Sequence, residues 1–309
     1  MEKSNFFFSI IIPTYNEEND IKYTIESILN LSYSNFEVII VDDSNDNTVK
    51  VIESFKCDKI KIICPKERKG RCEARNIGIL ESKGDILVIL NADVQLPANF
   101  LNRVSENYLK SNIDYLLVDS KVINTDFVFA RYVQCLHEKM VSSKDWKMNG
   151  LWTEGFSAKR DLVIKTNLFP TGFSNPIEAG EDVEFVKQLE KNGAKRGLDL
   201  SIIVTHIAPP KFKEFWRIRK GRGAGTPQIK HFIFRKSLIY IAFIESIKIL
   251  FYAISLLLIF PLLINSTILA IKSKHKIDFL LFPFCLIIEK TAYVMGSINS
   301  LIQIISSKK

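Results

Sequence analysis

Five short apolar runs, at 6–12, 36–41, 60–63, 86–90 and 115–118, recur along the first 118 residues. Each is continuous instead of alternating with polar residues, the pattern of strands covered on both faces. The segments between them, 19–29, 48–55, 71–81 and 97–109, space their apolar residues near 3.6, the period of a helix with one buried face. Strand and helix alternating in this way predict an α/β fold with a Rossmann-like, mostly parallel sheet flanked by helices. Such sheets bind ligands beyond the carboxyl ends of their strands, so chemistry is sought just after each run.

Those positions are polar. Pro13-Thr14-Tyr15-Asn16-Glu17 follows the first run, Asp42-Asp43-Ser44 the second, a basic loop from Lys66 to Arg71 the third, and Asn91-Ala92-Asp93 the fourth. Neither a G-x-G-x-x-G fingerprint nor a G-x-x-x-x-G-K-[ST] loop occurs in the sequence. The edge offers carboxylates, which hold divalent cations, and Arg and Lys, which hold phosphates. Together they suit a nucleoside diphosphate with its metal. Arg71 and Arg75 lie four residues apart, on one face of a helix that opens beside the strand ends. Asp43 or Ser44 is also a candidate helix cap.

The motifs SIIIPTYNEEN, VIIVDDSNDNT, GRCEARNIGI, GDILVILNAD and EAGEDVEF, in that order, resemble family 2 of the inverting glycosyltransferases, which have the GT-A fold. The resemblance covers about residues 6–225. It implies a UDP- or GDP-linked sugar donor, a divalent cation (Mg²⁺ or Mn²⁺) and transfer with inversion at the anomeric carbon. By the same resemblance Pro13, Thr14, Tyr15 and Glu17 wrap the base and ribose, Asp42 and Asp43 form the acidic pair, and Arg75 faces the nucleotide. Asn91-Ala92-Asp93 stands where the family has Asp-x-Asp, with an amide in the first acidic place; Asp93 is the expected metal ligand and Asn91 a donor contact. Glu181-Asp182 matches the motif that opens a helix on the acceptor side, and Asp182 is the expected general base. His206, after the strand-like run ending in LSIIVTH, is the second candidate metal ligand. In FWRIRKGRGAG, the residues Trp216, Arg217, Arg219 and Arg222 are expected on the acceptor or phosphate side. The Gln-x-x-Arg-Trp motif of processive polysaccharide synthases does not occur there.

With 47% hydrophobic and 25% charged residues, the chain is neither disordered nor fibrous. Five cysteines without a C-x-x-C pair argue against a disulfide framework or a zinc site. The net charge of +8 is confined to Lys211–Lys236, which holds nine Lys/Arg against Glu214, while the remainder is neutral. This argues against nucleic acid as a partner. The run from Ile249 to Ile271 carries no charge over 23 residues, enough to cross about 30 Å of hydrocarbon. A second apolar stretch, Ile277 to Ile305, is interrupted by Asp278 and Glu289-Lys290. The short apolar run near the N-terminus passes into PTYNEEND and reads as a strand, not as a signal peptide.

The expected organisation is a catalytic domain over 1–225, its nucleotide half about 1–120 and its acceptor half about 121–225. A basic juxtamembrane segment and one or two membrane helices, about 238–271 and 277–305, follow over 226–309. The basic flank before the first span places the catalytic domain on the cytoplasmic side, although the lysine-rich loop KSKHK also suits helices lying along one leaflet. The function expected is transfer of a sugar to a membrane-held acceptor, a polyprenyl phosphate or lipid-linked saccharide. The alternative, prompted by Asn91, is a catalytically impaired, membrane-anchored nucleotide-sugar-binding or scaffold protein.

Overall fold

The computed structural model describes residues 6–68, 70–144, 154–173, 176–257 and 260–306. In chain order the elements are β1 Phe8–Thr14, α1 Ile21–Leu29, β2 Phe36–Asp42, α2 Thr48–Glu53, β3 Ile60–Ile63, α3 Arg71–Glu81, β4 Ile86–Ile89, β5 Val94–Gln95, α4 Phe100–Lys110, β6 Tyr115–Val122, α5 Val128–Val141, β7 Phe156–Lys159, α6 Arg160–Val163, α7 Glu181–Lys191, β8 Arg196–His206, α8 Phe212–Gln228, a π-helical turn Ile229–Ile233, α9 Leu238–Leu257, α10 Phe260–Lys272 and α11 Asp278–Ser306. The chain forms two compact units. One comprises residues 1–121, 151–171 and 182–206, and the other 122–150, 172–181 and 207–309.

The first unit is built on a sheet of eight strands in the order β3-β2-β1-β4-β7-β6-β8-β5. Strands β3, β2, β1 and β4 are parallel, as the continuous apolar runs require. The far half is mixed: β7 runs antiparallel to β4 and β6, and β5 antiparallel to β8. Successive residues of β1 serve opposite faces. Phe8, Ile10 and Ile12 pack with Ile21, Ile25 and Ile28 of α1 and Phe100, Leu101 and Val104 of α4. Ile11 packs on the other side with Cys72 and Ile79 of α3 and Phe185 and Leu189 of α7. At Gly78 a β-carbon would lie 2.5 Å from Ile11 Cγ2, so glycine is what lets α3 close onto β1.

The second unit is helical. Tyr132 and Cys135 of α5, Phe215 of α8, Leu262 and Leu269 of α10, and Phe282, Cys285 and Leu286 of α11 share one buried cluster. Arg131 of α5 makes a paired hydrogen bond to Asp278, at 2.8 Å for each oxygen. Among the described residues two helical stretches, Leu238–Ser255 and Asp278–Ser306, are long and apolar enough to cross a membrane by length and composition. The charge-free run Ile249–Ile271 is helical on both sides of residues 258 and 259, which lie outside the described residues. Its described residues belong to α9, up to Leu257, and to α10, from Phe260. The membrane-length part of that region reaches back over Glu245 and Lys248.

Candidate active site

The loops after β1 and β2 are braced against each other. The parallel register sets Thr14 opposite Asp42, and Thr14 Oγ1 donates to Asp42 Oδ1 at 2.5 Å. Ser44 donates to the same carboxylate through its backbone N–H at 3.0 Å and its hydroxyl at 2.7 Å. Asn16 has φ +59°, a left-handed conformation that Asn tolerates better than most residues. Its N–H donates to Ser44 Oγ at 2.7 Å, and its Oδ1 accepts from the Asn45 N–H at 3.0 Å. The α2 terminus is held by Asp46, whose Oδ1 accepts from the Thr48 N–H at 2.9 Å, the capping role sequence reasoning gave to Asp43 or Ser44.

Asp43 serves the basic loop instead. Its N–H donates to the Thr14 carbonyl at 3.0 Å, and its Oδ2 accepts from the Gly70 N–H at 2.7 Å. From the same loop the Arg68 guanidinium lies over the exposed Tyr15 ring, 3.8 Å from its centroid, a cation–π contact. Arg71 starts α3 and is exposed, whereas Arg75, one turn on, is buried. Arg75 Nη2 donates to Asn91 Oδ1 at 3.0 Å, and its guanidinium lies 5.0 Å from the centre of the Phe169 ring. The Asn91-Ala92-Asp93 loop is also tied to α1, because Thr24 Oγ1 donates to the Ala92 carbonyl at 2.6 Å.

Asp93 and His206 are brought together by the sheet. Asp93 immediately precedes β5, and Val94 pairs with His206 across the antiparallel β5–β8 contact. Burial pushes the Asp93 carboxyl up to about 6; the Glu154 carboxylate adds to the shift, and His206 works against it. Glu154 has no motif around it in the sequence, and only the fold places its charge within reach of Asp93. Asp182 lies in the first turn of α7, and its Oδ1 accepts from the Val183 N–H at 2.8 Å. A helix N-terminus favours a carboxylate at this position. Gly180, just before α7, has φ +89°, which suits glycine.

The other expected acceptor-side residues belong to the second unit. Glu181 is buried. Trp216 lies 5.7 Å, ring to ring, from Phe212. Arg217 and Arg222 are exposed. Arg219 is buried: its Nη1 is 3.1 Å from Glu289 Oε1, and Tyr132 donates to the other Glu289 oxygen at 2.7 Å. Arg219 thus joins α8 to α11.

Among the described residues no three His, Cys, Asp or Glu side chains form a ready-made metal cluster. Asp93 with His206 nevertheless suits an oxygen-preferring divalent cation that takes its other ligands from a diphosphate and water. Burial is the main cause of the raised Asp93 pKa and the Glu154 carboxylate adds to it; a bound cation would offset both.

The family profile described as "Glycosyl transferase family 2" matches residues 9–169. The UDP-Glc:alpha-D-GlcNAc-diphosphoundecaprenol beta-1,3-glucosyltransferase WfgD of Escherichia coli is 32% identical over 221 residues, 69% of this chain and 84% of that protein. A dolichyl N-acetyl-alpha-D-glucosaminyl phosphate 3-beta-D-2,3-diacetamido-2,3-dideoxy-beta-D-glucuronosyltransferase of Methanococcus voltae is 28% identical and covers 91% of this chain and 94% of its own. Among solved structures, the mannosyltransferase PcManGT of Pyrobaculum calidifontis, in complex with GDP-Man and Mn²⁺, aligns over 97% of this chain and 88% of its own. Its TM-score is 0.60 at 17% identity. TarS 1-349 of S. aureus with UDP-GlcNAc aligns over 95% and 91% at a TM-score of 0.56 and 15% identity. The chain belongs to glycosyl transferase family 2 and has the GT-A fold.

Proposed function

We propose that this glycosyltransferase moves one sugar from a UDP- or GDP-linked donor, with inversion, to an acceptor held at a membrane: a polyprenyl phosphate or a lipid-linked saccharide. The observation that carries the donor half is the convergence of Asp93 and His206 through the β5–β8 register, in the unit that also holds the Thr14–Asp42 and Arg75–Asn91 contacts. The acceptor half is supported by relatives whose names specify diphosphoundecaprenol- and dolichyl-linked acceptors, and by the apolar C-terminal helices. Residues 1–225 would carry the reaction and 226–309 the attachment. The basic flank before α9 favours a cytoplasmic catalytic domain.

Inversion needs a single displacement. Asp182 takes the proton from the acceptor hydroxyl as that oxygen attacks the anomeric carbon, and the bonding pair of the anomeric C–O bond leaves with the nucleoside diphosphate. Pro13, Thr14, Tyr15, Glu17 and the acidic pair hold the nucleoside, while Arg71 and Arg75 stand toward its phosphates. A divalent cation held by Asp93 and His206 would offset the charge that grows on the leaving diphosphate. Trp216, Arg217 and Arg222 would meet the acceptor.

The test is a panel of radiolabelled nucleotide sugars with detergent-solubilised protein and membrane lipid extract, run with Mn²⁺ or Mg²⁺ and with EDTA. Metal-dependent label in the lipid phase supports the reading and names the donor. Transfer to water-soluble saccharides alone overturns the acceptor. Metal-dependent nucleotide binding without turnover favours an impaired binding protein, the reading that Asn91 motivates.

A further inference from the structure

We infer that the C-terminal helices embed in one leaflet of an anionic bilayer from its surface and do not cross it. The inference goes beyond the proposed reaction, and its tests need no turnover. The middle of α11 runs along α8. Phe215 shares a cluster with Phe282, Cys285 and Leu286, and Arg219 pairs with Glu289 at 3.1 Å. A β-carbon on Gly223 would lie 2.0 Å from the Tyr293 carbonyl oxygen, and one on Gly296 would lie 1.9 Å from that of Lys220. The two backbones therefore touch, and α8 lies at the depth of α11. Yet α8 is one of the most basic helices in the chain, with Arg217 and Arg222 exposed. Crossing by α11 would carry those guanidinium groups into hydrocarbon, where charges are strongly disfavoured.

The α9 and α11 faces agree with a surface position. On the inner side of α9, Glu245 is buried, paired with Lys230 at 2.8 Å and Lys248 at 3.1 Å, and it accepts from Ser297 Oγ of α11 at 3.0 Å. The outer side is mostly apolar. Ile239, Phe243 and Phe251 on α9 and Leu280, Phe284 and Ile302 on α11 are each 57–85% exposed. A helix set with its ion pairs turned inward and large apolar side chains exposed outward suits partial immersion, with cations at the rim. Those cations are present before α9, at Arg235 and Lys236, and between α10 and α11, at Lys272, Lys274 and Lys276, all exposed. Two membrane spans would put these two clusters on opposite sides of a bilayer. One anionic surface satisfies both at once.

The experiment uses the full chain in sealed membrane vesicles. Arg235→Cys and Lys274→Cys are made separately with the exposed native thiol removed by Cys64→Ser, and each is labelled with a membrane-impermeant maleimide. Labelling of both from the same side is the expected result, and labelling of Lys274→Cys from the opposite side overturns the inference. In flotation, binding to phosphatidylcholine vesicles containing phosphatidylglycerol should exceed binding to phosphatidylcholine alone. The triple change Lys272→Glu, Lys274→Glu and Lys276→Glu should weaken it by at least about tenfold. Equal binding to both vesicles removes the anionic partner. A stable dimer that binds neither vesicle assigns the apolar face to a second copy and overturns the proposal.

Discussion

Val94 and His206 are register partners across the antiparallel β5–β8 pair, and this pairing brings an imidazole from the end of one strand within electrostatic reach of Asp93. If these two side chains hold the cation, His206→Ala and Asp93→Asn should each weaken Mn²⁺ binding by more than about tenfold, since even residues that only support a metal ligand are worth that much. Titration of Mn²⁺ into metal-free protein in the presence of nucleoside diphosphate measures it. Unchanged affinity in both variants would place the metal elsewhere.

Asn91→Ala removes the acceptor that Arg75 Nη2 reaches at 3.0 Å. A hydrogen bond from a charged donor is worth about 1.5–3 kcal/mol, so the variant should unfold at lower denaturant concentration by a corresponding amount. Asn91→Asp keeps an acceptor in place and should not lose stability. Chemical denaturation of both variants in detergent separates these outcomes.

Asp182→Asn should lower the transfer rate by about 10²- to 10⁴-fold, the usual contribution of a positioned base. Its capping oxygen survives as the amide carbonyl, so the helix start and donor affinity should be unchanged. Single-turnover transfer and nucleotide-binding measurements on the same preparation read the two quantities. A loss of donor binding with the rate preserved would assign Asp182 a different role.

Asp114 provides the pH prediction. Burial disfavours its charge, but hydrogen bonds from Lys159, at 2.8 Å, and from the Lys195 N–H outweigh burial and hold the carboxyl below its usual range. The unfolded chain therefore takes up the proton at higher pH than the folded chain. The stabilisation is present in full above about pH 4–5 and is lost as pH falls through the lowered folded value. Lys159 is partly exposed, so the effect is about 1 kcal/mol or less. Unfolding midpoints between pH 7 and 3 should fall less steeply for Asp114→Asn than for the parent protein.

Arg219 and its neighbours divide by burial. Arg219→Ala leaves Glu289 without its guanidinium inside the helical unit and should cost about 3–5 kcal/mol. The exposed Arg217 and Arg222 should be replaceable by Ala with changes within about 0.5 kcal/mol. If they meet the acceptor, their effect belongs in its KM. Thermal unfolding and acceptor titration of the three variants test the division.

Much of the sheet of the first unit was legible from local pattern. Strands β1, β2 and β4 lie inside the sheet and are largely buried on both faces, so their residues are mostly apolar, while the edge strand β3 exposes Lys61; the loops after them stood out as polar breaks. Glu154 was not legible, because a lone acid has no spacing to betray it; its influence on Asp93 exists only through the fold. Arg68 was visible as one charge in a basic loop, but not as the partner of Tyr15. Absence of charge over Ile249–Ile271 measures hydrophobicity, but it does not register that, just before this run, the Glu245 charge is matched by Lys230 and Lys248.

The amino-acid order by itself determined the strand–helix alternation, the polar strand ends and the single basic segment, because each depends on residues close together in the chain. The tertiary structure decided which of those residues meet. Strand register put His206 beside the Asp93 loop, and glycine contacts at Gly223 and Gly296 let α8 lie along α11. That packing turned Arg219, one member of a run of similar cations, into a buried partner of Glu289 while Arg217 and Arg222 stayed in solvent. Burial and pairing are properties of surroundings, and surroundings exist only once distant segments have packed.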